Sequence, residues 1–149
     1  MIAVKGSSAI RNSFSSLDNG TIGEYICALR LLKMGIPCRI VNMGTTDIIA
    51  EFDNKMYRIQ AKASQRKLRH TNPNNYGYQF MTAKGGKKSP FTVDDCDIVA
   101  CVTIDTEQIW FFPVHKLINQ VSKRIQPEKF DEHTTERTWK DTIAYLESV

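Results

Sequence analysis

The sequence predicts an α/β domain in which a mixed sheet is flanked by helices, and three observations carry that prediction. Helical hydrophobic spacing is found towards the two ends of the chain, strand-like segments separated by turn signals run from residue 37 to 64, and residues 96–104 form the densest apolar run. Helix, three strands, a basic insertion, further strands and then helices is the order of a mixed sheet covered by helices. The 149 residues suit one hydrophobic core. No repeat, low-complexity run or Gly/Ser linker divides them, so residues 1–149 read as a single domain, with 1–17 as a loosely held arm.

From Asn19, the segment NGTIGEYICALRLLKMG spaces Ile22, Ile26 and Leu29 as one helical face, with Thr21 as N-cap and Gly35 as the C-terminal stop. Pro37 forbids continuation. PCRIVNM, TDIIAEFD and KMYRIQAKAS read as three strands, the last two joined by a tight turn at Asp53-Asn54. The polar QRKLRHTNPNN follows, then YGYQFMT, whose Tyr76, Tyr78 and Phe80 alternate as in a half-buried strand. AKGGKKSP forms a basic tip. CDIVACVTI has the character of a strand buried on both faces, and QIWFFPV that of a neighbour ending at Pro113. VHKLINQVSKRI reads as a short helix. The last helix, TTERTWKDTIAYLESV, places Trp139, Ile143 and Leu146 on one face, with Thr134 or Thr135 as N-cap.

A hydrophobic content of 42% with 24% charged residues excludes disordered, collagen-like and membrane classes. No run approaches the roughly 18 apolar residues of a membrane span. The opening residues lack the apolar core of a secretory signal, so the expected location is the cytoplasm, of a bacterial or phage-infected host cell. Cys27, Cys38, Cys96 and Cys101 form no CxxC pair and sit in apolar surroundings, which predicts reduced, buried thiols. The net charge of +4 hides a segregation: residues 54–93 contain no acid and nine cations. Such a zone on an otherwise acidic chain is the footprint expected of a polyanion partner.

The chemistry concentrates between Gly44 and Ser64. A strand repeats its face every second residue, so Gln60 and Lys62 project together while Ile59 and Ala61 turn the other way. A hairpin turning at Asp53-Asn54 sets Asp47 opposite Gln60. An acid, an amide and a lysine on one face suit metal-dependent phosphodiester hydrolysis. Asp47, the Gln60 oxygen and the Ala61 carbonyl would hold a divalent cation, and Lys62 would stabilise charge and position the attacking water. Singly, each residue has a plainer reading: Glu24 as a first-turn acid, Asp47 as a turn residue, Gln60 and Lys62 as a solvated strand face. Their joint order favours the site. Glu51 and Asp53 are the nearest competing acids.

These positions resemble the PD-(D/E)XK nuclease superfamily, whose pattern is a helix glutamate, an aspartate opening one strand and (E/Q)xK on the next; here they are Glu24, Asp47, Gln60 and Lys62. Within it the chain is similar to a small prokaryotic and phage branch with GE in the first helix, D-[ILV]-[ILV] at the strand and RxQxK after it. That branch resembles cyanobacterial group I intron-encoded homing endonucleases and their free-standing phage relatives. The likeness spans about residues 20–113 and continues through YGYQF, DDCDIVACVTI and IWFFP. Gln60 replaces the usual glutamate, and Thr46 stands where the name-giving proline would be.

The resemblance implies a restriction-endonuclease-like αβββαβ core and a metal-dependent DNA endonuclease. Glu24, Asp47, Gln60 and Lys62 would be catalytic. Asp47, Gln60, the Ala61 backbone carbonyl and Glu24 would hold Mg²⁺, for which Mn²⁺ would substitute. Arg66, Lys67, Arg69, Lys84, Lys87 and Lys88 would contact double-stranded DNA from two turn-rich tips. One catalytic set cuts one strand at a time, so a homing-type double-strand cut implies a homodimer or homotetramer. The alternatives are a Holliday junction resolvase of the same superfamily and a non-catalytic DNA-binding protein derived from the scaffold.

Overall fold

The computed structural model describes residues 16–65 and 76–149. Residues 1–15 of the expected arm lie outside the described residues, and helix α1 (Ser16–Lys33) already includes Ser16 and Leu17. Thr21 therefore lies inside the helix and not at its cap. Asn19 and Gly20 are weak helix formers and suggested a later start, but Asp18 in the first turn complements the dipole. The buried face also differs from the expected one: Ile26, Cys27 and Leu31 are buried, whereas Leu29 is 47% exposed. The cause is Gly23, where the helix approaches the sheet so closely that an added Cβ would stand 2.6 Å from the Cβ of Ala63. That contact fixes which side of α1 turns inward. At the far end Gly35, at φ +80°, closes a Schellman motif in which Ile36 N–H donates to the Leu31 carbonyl and Gly35 N–H to that of Leu32.

Strands β1 (Cys38–Met43), β2 (Thr46–Phe52) and β3 (Lys55–Ser64) form an antiparallel meander. The β2–β3 turn carries Asp53 and Asn54 at φ 53° and 63°, the left-handed pair of a tight hairpin turn. The described residues that follow give three short strands, β4 (Tyr78–Met81), β5 (Ala83–Lys84) and β6 (Ser89–Pro90). β7 (Ile98–Thr103) then lies parallel to β3, and β8 (Gln108–Pro113) returns antiparallel. The main sheet is five-stranded and mixed, in the order β1-β2-β3-β7-β8. As its apolar composition predicts, β7 is buried along its whole length. Where an αβββαβ core has a helix between its third and fourth strands, the described part of this crossover contains β4, β5 and β6.

The expected helix over residues 114–125 is instead a 3-10 turn (Val114–Leu117) followed by β9 (Ser122–Ile125). Ile118 is already extended, at ψ 133°, which ends the helical path; Asn119 follows at φ 72°, and β9 pairs antiparallel with β4. Isolated, β4 would leave its backbone groups without partners.

Helix α2 (Thr134–Ser148) packs on β8 and buries Trp139 and Ile143 as expected. Its threonines do not cap it. Thr134 Oγ1 accepts the N–H of Asp131, while Thr135 and Thr138 accept the N–H groups of Ile109 and Phe111, each at 3.0 Å. Thr142 donates to the Phe111 carbonyl. Spaced three and four apart, these hydroxyls satisfy the outer edge of β8 and close it to further strand pairing.

Two cores result, one on each face of the sheet. The first joins α1 and α2 to Ile48, Ile59, Ala61, Ile98, Ala100 and neighbours. The second lies under the short strands and contains Tyr78, Phe80, Phe91, Val99 and Cys101. The core role read for Tyr78 and Phe80 holds. Cys27, Cys96 and Cys101 are buried and Cys38 is half-buried; all four thiols are free. Among the described residues no helix is long and apolar enough to cross a membrane.

Candidate active site

The β2–β3 hairpin pairs Ile48 with Ile59, and both are fully buried in the first core. One step further along the same register sets Asp47 opposite Gln60, on the other face of the sheet. Lys62 is two residues beyond on that face, and its Nζ lies 5.3 Å from the centroid of the Phe91 ring. Ile59 and Ala61 point to the first core, as the strand periodicity requires.

The ladder opens where Asp47 enters. Arg58 N–H donates to the Asp97 carboxylate at 2.8 Å, and its carbonyl accepts the N–H of Asp97 at 2.9 Å. Its hydrogen-bonding groups thus face β7. Backbone direction alternates along a strand, so Ile59 and Ala61 turn theirs toward β2. The register would bring Thr46 opposite Ala61, yet β2 and β3 are paired only as far as Ile48 and Ile59. The Ala61 N–H donates to Asp47 Oδ2 at 3.0 Å. The Asp47 carboxylate thus occupies the place of a strand carbonyl, with the Ala61 C=O on the same side.

Glu24, on α1 next to Gly23, lies near enough to feel the charge of Asp47, and the close approach of Gly23 to Ala63 sets its height above the sheet. Burial, then the charge of Asp47, push the Glu24 carboxyl above its ordinary value, against a hydrogen bond from the Asn42 side chain. Burial pushes Asp47 upward too, opposed by the Ala61 N–H and the charge of Lys62. Two half-buried acids that resist ionisation form a site short of positive charge. Among the described residues no group of three His, Cys, Asp or Glu side chains is placed to hold a metal ion. A cation here would therefore need neutral oxygens beside Asp47 and Glu24. The Gln60 amide oxygen and the Ala61 carbonyl are of that kind, and oxygen donors of mixed charge fit Mg²⁺ or Mn²⁺ better than zinc.

Glu51 and Asp53 are exposed, Asp53 in the turn at the opposite end of the hairpin. Of the cations expected to face DNA, Arg66, Lys67 and Arg69 lie outside the described residues. Lys87 and Lys88 are exposed at the tip between β5 and β6. Lys84 is not a free cation; its Nζ is paired with the carboxylate of Asp95. Arg58 is likewise committed, to Asp97 and to the carbonyls of Val93 and Asp94 at 2.7 and 3.1 Å. Two of the nine charges in the acid-free stretch are therefore neutralised by acids just beyond it.

Sequence reasoning did not single out Thr45, Phe91, Asp95 and Asp97. Thr45 Oγ1 donates to the Asp95 carbonyl at 2.9 Å and Thr46 Oγ1 to the same oxygen at 3.4 Å. The available signal was the burst of acids, Asp94, Asp95 and Asp97, that ends the basic stretch.

The site thus sits on a mixed α/β fold with a five-stranded sheet and two α-helices. No family model matches the chain, and no curated protein matches it in sequence. Among solved structures it is similar to a bacterial homing endonuclease, I-Ssp6803I, with a TM-score of 0.68 over 90% of this chain and 97% of that one. The sequences are 16% identical, so the likeness is one of fold.

Proposed function

We propose that this chain is a divalent-metal-dependent DNA endonuclease of the PD-(D/E)XK kind, with Glu24, Asp47, Gln60 and Lys62 as its catalytic set. A homing-type enzyme that cuts both strands as a homodimer or homotetramer is the favoured form. The observation that carries the reading is the break in the β2–β3 ladder, which sets a carboxylate, an amide and a lysine on one face beside a second carboxylate. The fold shared with a homing endonuclease supports it.

Asp47, Glu24, the Gln60 oxygen and the Ala61 carbonyl would hold Mg²⁺ or Mn²⁺. When bound, the cation supplies Lewis-acid polarisation of the scissile phosphate and makes water a competent nucleophile at neutral pH. The Ala61 N–H fixes the Asp47 carboxylate, so that no rotamer search precedes binding. Lys62 brings a positive charge to the same face. Over the Phe91 ring its ammonium is held by roughly 0.5–1 kcal/mol of cation–π attraction, and from there it would stabilise the charge that develops on phosphoryl oxygens. Its hydrogens also orient the attacking water. Gln60 contributes an oxygen without charge, so Asp47 and Glu24 supply the whole negative charge of the ligand set. Lys87 and Lys88, on the exposed tip, would bind the DNA backbone.

Incubation with supercoiled plasmid tests the reading. Nicking or linearisation with Mg²⁺ that stops on addition of EDTA is expected; gel retardation without cutting would replace the enzyme by a binding protein. Preferential resolution of four-way junctions over linear duplex would move the role to a resolvase.

A further inference from the structure

Asp95 is 8% exposed, yet it has more partners than any acid of the site. Its Oδ1 meets Lys84 Nζ, and its Oδ2 accepts the Thr92 N–H at 2.9 Å and the Thr92 hydroxyl at 3.3 Å. The carbonyl of the same residue accepts the hydroxyls of Thr45 and Thr46. Asp95 thus joins the root of the β5–β6 hairpin to the two residues that precede Asp47. These are the residues that leave the β2–β3 ladder and let the Asp47 carboxylate take the Ala61 N–H. Burial acts to raise the Asp95 carboxyl, but Lys84 and Thr92 hold it below its ordinary value, so it stays charged.

We infer that Lys84 and Asp95 form a positioning lock for Asp47: Lys84 acts on the site through Asp95 and the Thr45–Thr46 hydroxyls, and not as a phosphate contact. The inference rests on the metal-site reading above and assigns Lys84 a different task from Lys87 and Lys88. Without Lys84, Asp95 is a charge without its counter-ion in a buried place, and the turn over residues 92–95 must move to hydrate it. The entry of β2 then loses its anchor. The effect should appear in metal affinity, as for other groups that orient a ligand without touching the metal.

The experiment compares wild type, Lys84→Met and Lys84→Arg by two readouts. The first is the rise in Tm of the DNA-free protein on titration with Mn²⁺. Lys84→Met should need about tenfold more Mn²⁺ for the same rise, and Lys84→Arg should restore it substantially. A general loss of stability would lower Tm without moving the Mn²⁺ midpoint, and that result overturns the lock. The second is duplex binding in EDTA at several salt concentrations. A phosphate-contacting lysine would take about 0.9 off the salt slope when removed; the lock predicts no change in slope, and a loss of that size overturns it. If Lys84→Met does not fold, Thr45→Val, which removes only a hydroxyl, must weaken the Mn²⁺ response, and an unchanged response refutes the lock. If the wild type itself ignores Mn²⁺, the metal site fails and the lock with it, whereas a wild-type response shared by every variant removes the lock alone.

Discussion

Replacing Gly23 by alanine tests whether the contact between α1 and β3 sets the height of Glu24 over the site. The new Cβ would lie 2.6 Å from the Cβ of Ala63, against about 3.5–4.0 Å for carbons in contact, so the helix must retreat by about 1 Å. Ala63 cannot turn away, because its Cβ is fixed to the backbone of β3, which is paired there with Val102 of β7. Overpacking of this kind costs about 1–3 kcal/mol, and the rigid neighbour places this case near the upper end. Alanine returns about 1 kcal/mol of helix propensity, leaving a net loss of about 2 kcal/mol, or roughly 4–8 °C in Tm at this chain length. Urea denaturation measures it. Ala63→Gly alone should cost about 1 kcal/mol, as glycine does within a strand, yet the double variant should return close to wild type. The coupling is then about 3 kcal/mol in favour of the pair. A Gly23→Ala protein as stable as wild type, or additivity of the two changes, would refute the packing argument.

Other consequences can be checked by similar means. Glu24 and Asp47 have carboxyls raised by burial, so the native state holds protons more tightly than the unfolded chain; stability from this source is full below their unfolded values and is lost as pH rises through the folded ones. Without metal, Asp47→Asn should therefore be at least as stable as wild type at pH 7, the difference closing in acid, while Mn²⁺ should stabilise wild type alone; thermal unfolding across pH decides. Thr138→Val removes the buried acceptor of the Phe111 N–H and should cost about 1–3 kcal/mol in urea titration; a neutral change would show that the hydroxyls do not secure β8. Burial pushes the thiols of Cys27 and Cys101 up and that of Cys96 up to about 12, and raises half-buried Cys38 as well, so native protein should react with Ellman's reagent first at Cys38, more slowly than a free thiol, and at all four after unfolding.

Strand periodicity and one turn made the centre of the fold legible. The Asp53-Asn54 turn fixed the β2–β3 register, and that register alone put Asp47 opposite Gln60 with Lys62 on the same face. The apolar run of β7 announced its burial in the same way. What escaped depends on contacts distant in sequence. Residues 122–125 became a strand because β4 needed a partner, although their hydrophobic spacing also fits a helix. The threonines of α2 suggested caps, and only the adjacent edge of β8 gave Thr135, Thr138 and Thr142 their actual partners. Lys84 looked like one more cation in a basic stretch, because charge counting cannot see that Asp95 is folded against it. The turning inward of Cys27 and not Leu29 follows from a single close approach at Gly23, which no hydrophobic pattern encodes.

The central claim is that Asp47 and Lys62 belong to one catalytic apparatus, and cleavage by Asp47→Ala and Lys62→Ala under saturating Mg²⁺ tests it most directly, with DNA binding measured in parallel. Both variants should bind DNA nearly as wild type does while cleavage is abolished. Wild-type cleavage rates from either variant would contradict it.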